Sequence, residues 1–227
     1  IWIIGNEMNH AQERPNGQPI TPQLYAECFK KCRAEIRRRP GHEQDRVVVG
    51  PVAPWNIQTP YPGNDSGDWI RYFVDLLRLL RGQCDGISIH TYTHGTKPEL
   101  VFSDERMGPP FQNRYYHFRA YRDFMHAIPA DMRDLPVYIT ETDQDDPWAD
   151  VNSGWVRNAY KEIHDWNLVP GHQQIRCLLL YRWPKYDKWA IDGKRGVIED
   201  FKQAMDHDYV WYERAIPEYG VSFLSHT

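Results

Sequence analysis

Ile1-Trp2-Ile3-Ile4-Gly5-Asn6-Glu7 carries the reading of the fold. Four apolar residues run straight into a glycine, an amide and a carboxylate. A short apolar run closed by such residues reads as a strand buried on both faces. The same shape recurs at Val137-Tyr138-Ile139-Thr140-Glu141. Working outward, strands are expected over Ile1–Asn6, Arg46–Val52, Gly86–His90, Pro136–Thr140 and Ile175–Tyr181.

Amphipathic stretches lie between them. Thr21-Pro22 opens the first, with Thr as N-cap and Pro at the first helical position. Leu24, Cys28, Cys32 and Ile36 are expected to form its buried face, and Pro40-Gly41 stops it. Further helices are expected over Asp68–Leu80, Gln112–His126, Asn152–Trp166 and Glu199–His207. Five β-α repeats imply a parallel sheet with helical crossovers. Strands start about 43 residues apart, a pitch at which eight units need about 340 residues. The 227 residues supply five. The expectation is a single α/β domain over 1–227, either an open sheet or the larger part of a (β/α)8 barrel.

Composition narrows the function. Net charge is −4 with a sequence pI of 6.2, which argues against a dedicated nucleic-acid surface. No apolar run is long enough to span a bilayer. Nucleic acid and membrane are therefore not expected partners. Aromatic residues make up 14% of a chain whose mean hydropathy is −0.71, so some rings are expected to line a wet binding face. Phosphate-cradling glycine motifs are absent. Cys28, Cys32, Cys84 and Cys177 lack zinc spacing and are expected as buried or half-buried thiols. His10, His90 and His94 with Asp143, Asp145, Asp146 and Asp150 lack HxH, HExxH or calcium-loop spacing. No metal and no cofactor is expected, and the acidic run reads as a solvated or substrate-facing loop. Ile1 stands inside a strand without a polar lead-in, so residues upstream of it are expected and localisation cannot be read.

Chemistry gathers where the strands end. Glu7 and Glu141 each close an apolar run. In a barrel, strand ends three apart face each other across the mouth. Two carboxyls about 5–5.5 Å apart suit double-displacement glycoside hydrolysis. Asn6-Glu7, His90-Thr91-Tyr92, Thr140-Glu141 and Tyr181-Arg182-Trp183 fall in this order at four strand ends.

That set resembles clan A of the glycoside hydrolases, the retaining (β/α)8-barrel enzymes that include cellulases, mannanases, xylanases and β-glycosidases. The resemblance covers the part of the pattern from the fourth to the eighth barrel strand. It implies Glu7 as acid/base and Glu141 as nucleophile, with Asn6 on the sugar 2-hydroxyl. It further implies that Tyr92 orients Glu141, His90 lines the sugar subsite and Trp183 floors it. Trp55, Trp148 and Trp189 are expected as further sugar platforms on the same rim. The substrate would be an oligo- or polysaccharide. The first three barrel strands have no counterpart here, nor does the arginine that supports the nucleophile. A missing N-terminal segment or a second copy is expected to complete the barrel. The alternative is an inactive barrel remnant that binds carbohydrate or serves a structural role.

Overall fold

In the computed structural model, residues 1–209 are described. Residues 210–227, the end of the expected domain, lie outside them. Five parallel strands form one sheet: β1 (Trp2–Ile4), β2 (Val47–Val49), β3 (Ile87–His90), β4 (Val137–Thr142) and β5 (Ile175–Leu180). Their spatial order is their sequence order. A doubly wound sheet would reverse direction at a switch point, and this one does not.

The crossovers are α1 (Pro22–Arg37), α2 (Trp69–Leu79), α3 (Ala120–Ala127) and α4 (Trp155–Asn167), and α5 (Arg195–Met205) follows β5. Right-handed crossovers in constant strand order place successive helices on one face of the sheet. Accordingly α1 packs on α2, α2 on α3 and α4 on α5. Val47, Val48, Val49, Ile87 and Ile89 are fully buried between helices and strand ends. Each such side chain contributes about 1.5–3 kcal/mol of transfer free energy.

Expected burial on both faces holds for β2 and β3 but fails at the edges. Trp2 and Ile3 are exposed in β1, and β5 alternates between buried Ile175 and Leu178 and exposed Arg176 and Leu179. An edge strand has a neighbour on one side only, which uncovers part of its surface.

Thr21 caps α1 as expected, accepting from the Leu24 N–H at 3.3 Å. The buried face of α1 is not the expected one. Tyr25, Ala26 and Phe29 are buried, whereas Leu24 and Cys28 are exposed and Cys32 is half-exposed. Tyr25 decides this. Its hydroxyl donates to the Ile4 carbonyl at 2.5 Å and accepts the Gly50 N–H at 2.7 Å, turning that face inward. Gly50 is required there, because a Cβ would stand 2.2 Å from the Ile4 carbonyl oxygen.

Helix α3 begins at Ala120, later than Gln112, because the preceding chain is held otherwise. Arg106 and Tyr115 form an antiparallel bridge, and Asp123 accepts the Tyr115 N–H at 2.8 Å. Helix α5 begins earlier than Glu199. The Asp150 carboxylate takes the Gly196 N–H at 2.6 Å and supports its first turn.

Candidate active site

The chain leaving β1 turns sharply. Gly5 has φ +80° and Glu7 φ +40°. A non-glycine residue in that region is uncommon and needs outside support. The loop supplies it. The Asn9 amide pairs with the Ala53 backbone in both directions, at 3.0 and 2.8 Å. The Thr59 hydroxyl donates to the Asn9 carbonyl at 2.6 Å. Asn9 is 1% exposed and is the asparagine that anchors this turn. Asn6 is exposed and does not line the cleft, contrary to its expected place on the sugar. That expectation rests on the Asn6-Glu7 motif alone; the positive φ angles on either side of Asn6 end the extended strand before it.

The other half of the site comes from β3 and β4. His90 pairs with Glu141 in the register, after an irregularity at Ile89/His90. Beyond the sheet the two chains continue side by side. Thr91 N–H donates to the Glu141 carbonyl, Thr93 N–H to that of Asp143 and Gly95 N–H to that of Gln144. Tyr92 is thereby fixed over the strand end. Its hydroxyl lies 2.6 Å from Glu141 Oε1, 3.1 Å from Glu7 Oε1 and 3.0 Å from His90 Nδ1. His90 Nδ1 lies 2.9 Å from Glu7 Oε1, and its Nε2 lies 3.1 Å from the Thr140 hydroxyl.

Glu7, His90 and Glu141 each bring a ligand-type atom within 4.8 Å of the others. Among the described residues no other group of that kind is as compact. Both imidazole nitrogens of His90 already face protein oxygens.

The two carboxyls differ electrostatically. Burial pushes Glu7 up, but hydrogen bonds and charge from His90, with the Tyr92 hydroxyl, outweigh it and hold Glu7 below its ordinary value. Burial pushes Glu141 up, and its bond from Tyr92 does not fully offset this. Burial also raises Tyr92 well above its ordinary value, so it remains a protonated donor at neutral pH.

The carboxyls open onto a cleft of about 390 Å³. Trp55, Trp189 and Tyr181 form aromatic walls, and His10, Asn56, Asp143 and Asp145 add polar groups. Trp55 is braced by its indole N–H on the Tyr115 carbonyl at 2.8 Å and by His94, whose ring lies 4.4 Å away.

Three expected placements change. His90 is 1% exposed and holds Glu7, so it does not line a sugar subsite. Trp148 is 3% exposed, packs edge-on to Trp155 at 5.4 Å and donates to the Tyr181 carbonyl at 2.6 Å, which makes it a core residue. Trp183 is 49% exposed and lies outside the cleft lining, whereas Tyr181, two residues earlier, is part of it. In the acidic run, expected as a solvated or substrate-facing loop, Asp143 is buried and lines the cleft rather than facing bulk solvent. Its signal was available: Glu141 and Asp143 are two apart in an extended segment, and so share a face.

No protein-family model matches this sequence. No curated protein matches it either. Among solved structures, the chain is similar to a GH128 (subgroup VI) exo-beta-1,3-glucanase from Aureobasidium namibiae, with 13% identity and a TM-score of 0.44. The match covers 86% of this chain and 60% of that glucanase chain.

Proposed function

We propose that this protein is a glycoside hydrolase acting by retaining double displacement, with Glu7 and Glu141 as the reacting carboxyls. The observation that carries this reading is the shared Tyr92 hydroxyl, which bonds both carboxylates and keeps reactive oxygens of the pair within 4.8 Å. Inverting enzymes keep their carboxyls about 6.5–9.5 Å apart to admit a water; retaining enzymes bring them closer. The constant strand order suits one wall of a (β/α)8 barrel, with the site at the C-terminal strand ends. The aromatic walls suit stacking on sugar rings.

In the allocation that the clan A resemblance implies, Glu141 attacks the anomeric carbon. Glu7 protonates the leaving oxygen and later activates water. The hydrogen bonding of the free site favours a second allocation. Glu7 is held toward the ionised form and Glu141 toward the protonated one, which suits Glu7 as nucleophile and Glu141 as acid. The two carboxyls titrate as a pair through Tyr92, so both allocations use the same proton.

The test is turnover on a panel of aryl β-glycosides and β-glucans, β-1,3-glucan included. Product anomers are followed by NMR. Hydrolysis with retained configuration, lost in both Glu7→Gln and Glu141→Gln while the folded spectrum persists, is expected. Unchanged turnover in either variant would overturn the assignment. Trapping with a 2-fluoro-glycoside and mapping the labelled peptide separates the two allocations.

A further inference from the structure

The proposed chemistry uses two carboxyls of the cleft and leaves two more. Asp143 follows Glu141 by two residues, and Asp145 lines the same wall. Asp143 is 5% exposed. One of its oxygens accepts the Asp145 N–H at 2.6 Å. Among the described residues no donor meets the other oxygen, and that atom is not sealed from solvent.

No lysine or arginine lines the cleft among the described residues, and His10 is its one imidazole. Four carboxyls therefore line the cleft with His10; His90 behind it pairs with Glu7 and the Lys188 ammonium stands over the Trp189 ring, but neither meets Asp143. A buried carboxylate without a cation is costly. Burial, with Glu141, Asp145 and Glu7 adding repulsion, pushes the Asp143 carboxyl up to about 7. A neutral sugar relieves none of this. An ammonium does, because it pairs with a carboxylate through charge-assisted bonds.

Resting on the glycoside hydrolase reading, we infer that the cleft selects a glycan bearing free amino groups, a glucosamine-type unit, and that Asp143 is the residue that recognises the ammonium. An N-acetylated unit lacks the charge. A uronic acid would add a further carboxylate to a cleft that already holds four carboxyls.

Calorimetry tests this without turnover. Glu141→Gln protein, which leaves the ligands intact, is titrated at pH 6 and low salt with three β-linked tetrasaccharides: glucosamine, N-acetylglucosamine and glucose. The glucosamine ligand should bind about tenfold more tightly than the other two. Raising the salt should weaken it alone. Its binding should also release protons, read in buffers of different ionisation heat, as the ammonium drives Asp143 to ionise. Adding Asp143→Asn should abolish the preference and the proton release. Asp145→Asn, at an exposed position, should reduce the preference if the first variant fails to fold.

Glucose binding equal to or tighter than glucosamine binding would overturn the inference, as would a preference that survives Asp143→Asn. Binding of none of the three would overturn it too. Hydrolysis of neutral aryl glycosides by the unsubstituted protein is scored separately, so the hydrolase reading stands or falls on that readout.

Discussion

The Tyr92 hydroxyl stands 2.6 Å from Glu141 Oε1, half an ångström closer than the 3.1 Å that separates it from Glu7 Oε1. One donor thus serves two carboxyls unequally. His90 restores the balance by meeting the same Glu7 oxygen at 2.9 Å. The order in which the pair ionises is set by these three contacts together with burial.

Tyr92→Phe removes the donor and leaves the ring. Glu141 loses its hydrogen bond, and its carboxyl should rise further. If Glu141 must be ionised to attack, the acid limb of the pH–rate profile moves to higher pH, and kcat falls about 10–100-fold. A profile that stays in place would show that Tyr92 does not tune this carboxyl.

Trp148 and Trp189 should separate stability from binding. Trp148→Ala empties a core position against Trp155 and should cost about 3–5 kcal/mol of stability. Trp189→Ala should leave the melting temperature nearly unchanged and raise KM by about tenfold through loss of a sugar platform. Thermal melts beside saturation kinetics check both, and a large stability loss for Trp189→Ala would remove it from the rim.

Asp143 should make folding pH-dependent in an unusual direction. Its folded pKa is about 7, against an ordinary value of 3.8. Between those values the unfolded chain has released the proton and the folded chain has kept it. Stability is therefore lost as pH rises from about 4 to 7, then levels off. Asp143→Asn keeps the shape without the charge and should stabilise the fold at pH 8, on the order of 2–4 kcal/mol, with little effect at pH 4. Denaturant melts at the two pH values decide it.

Asp85 should act with the opposite sign. Burial raises its carboxyl, but the Val47 N–H at 2.9 Å and the Arg33 and Arg37 guanidiniums at 3.1 and 2.8 Å outweigh burial and depress it. Its contribution is present above the ordinary aspartate range and is lost as pH falls through the lower folded value. Asp85→Ala leaves both arginines and the start of β2 without their acceptor. It should cost about 1–3 kcal/mol at pH 7. A loss that does not shrink on acidification would contradict the depressed value.

Much of this was legible in the chain. The strand cores, the Thr21 cap and the positions of Glu7 and Glu141 at strand ends follow from local patterns: apolar runs, a capping hydroxyl, a carboxylate after the last apolar residue. The misread elements share one cause. The α1 stripe of Leu24, Cys28, Cys32 and Ile36 has helical spacing, yet so does Tyr25 with Phe29 beside it. Only contact with Ile4 and Gly50 chooses between them. Trp148, Trp183 and Trp189 are equivalent as letters in loops, and their exposures differ because the loops fold differently onto the rim.

The sequence by itself determined the alternation of strands and helices and the residues at the strand ends, since periodicity, caps and turn residues act over a few neighbours. Only the tertiary structure decided which groups meet. His90 reaches Glu7 across 83 residues of chain, and Tyr92 reaches Glu141 across 49. Charge and burial at those distances act through space, and no local pattern in the chain records them. The ionisation order of the two glutamates and the enclosure of Asp143 therefore belong to the folded site alone.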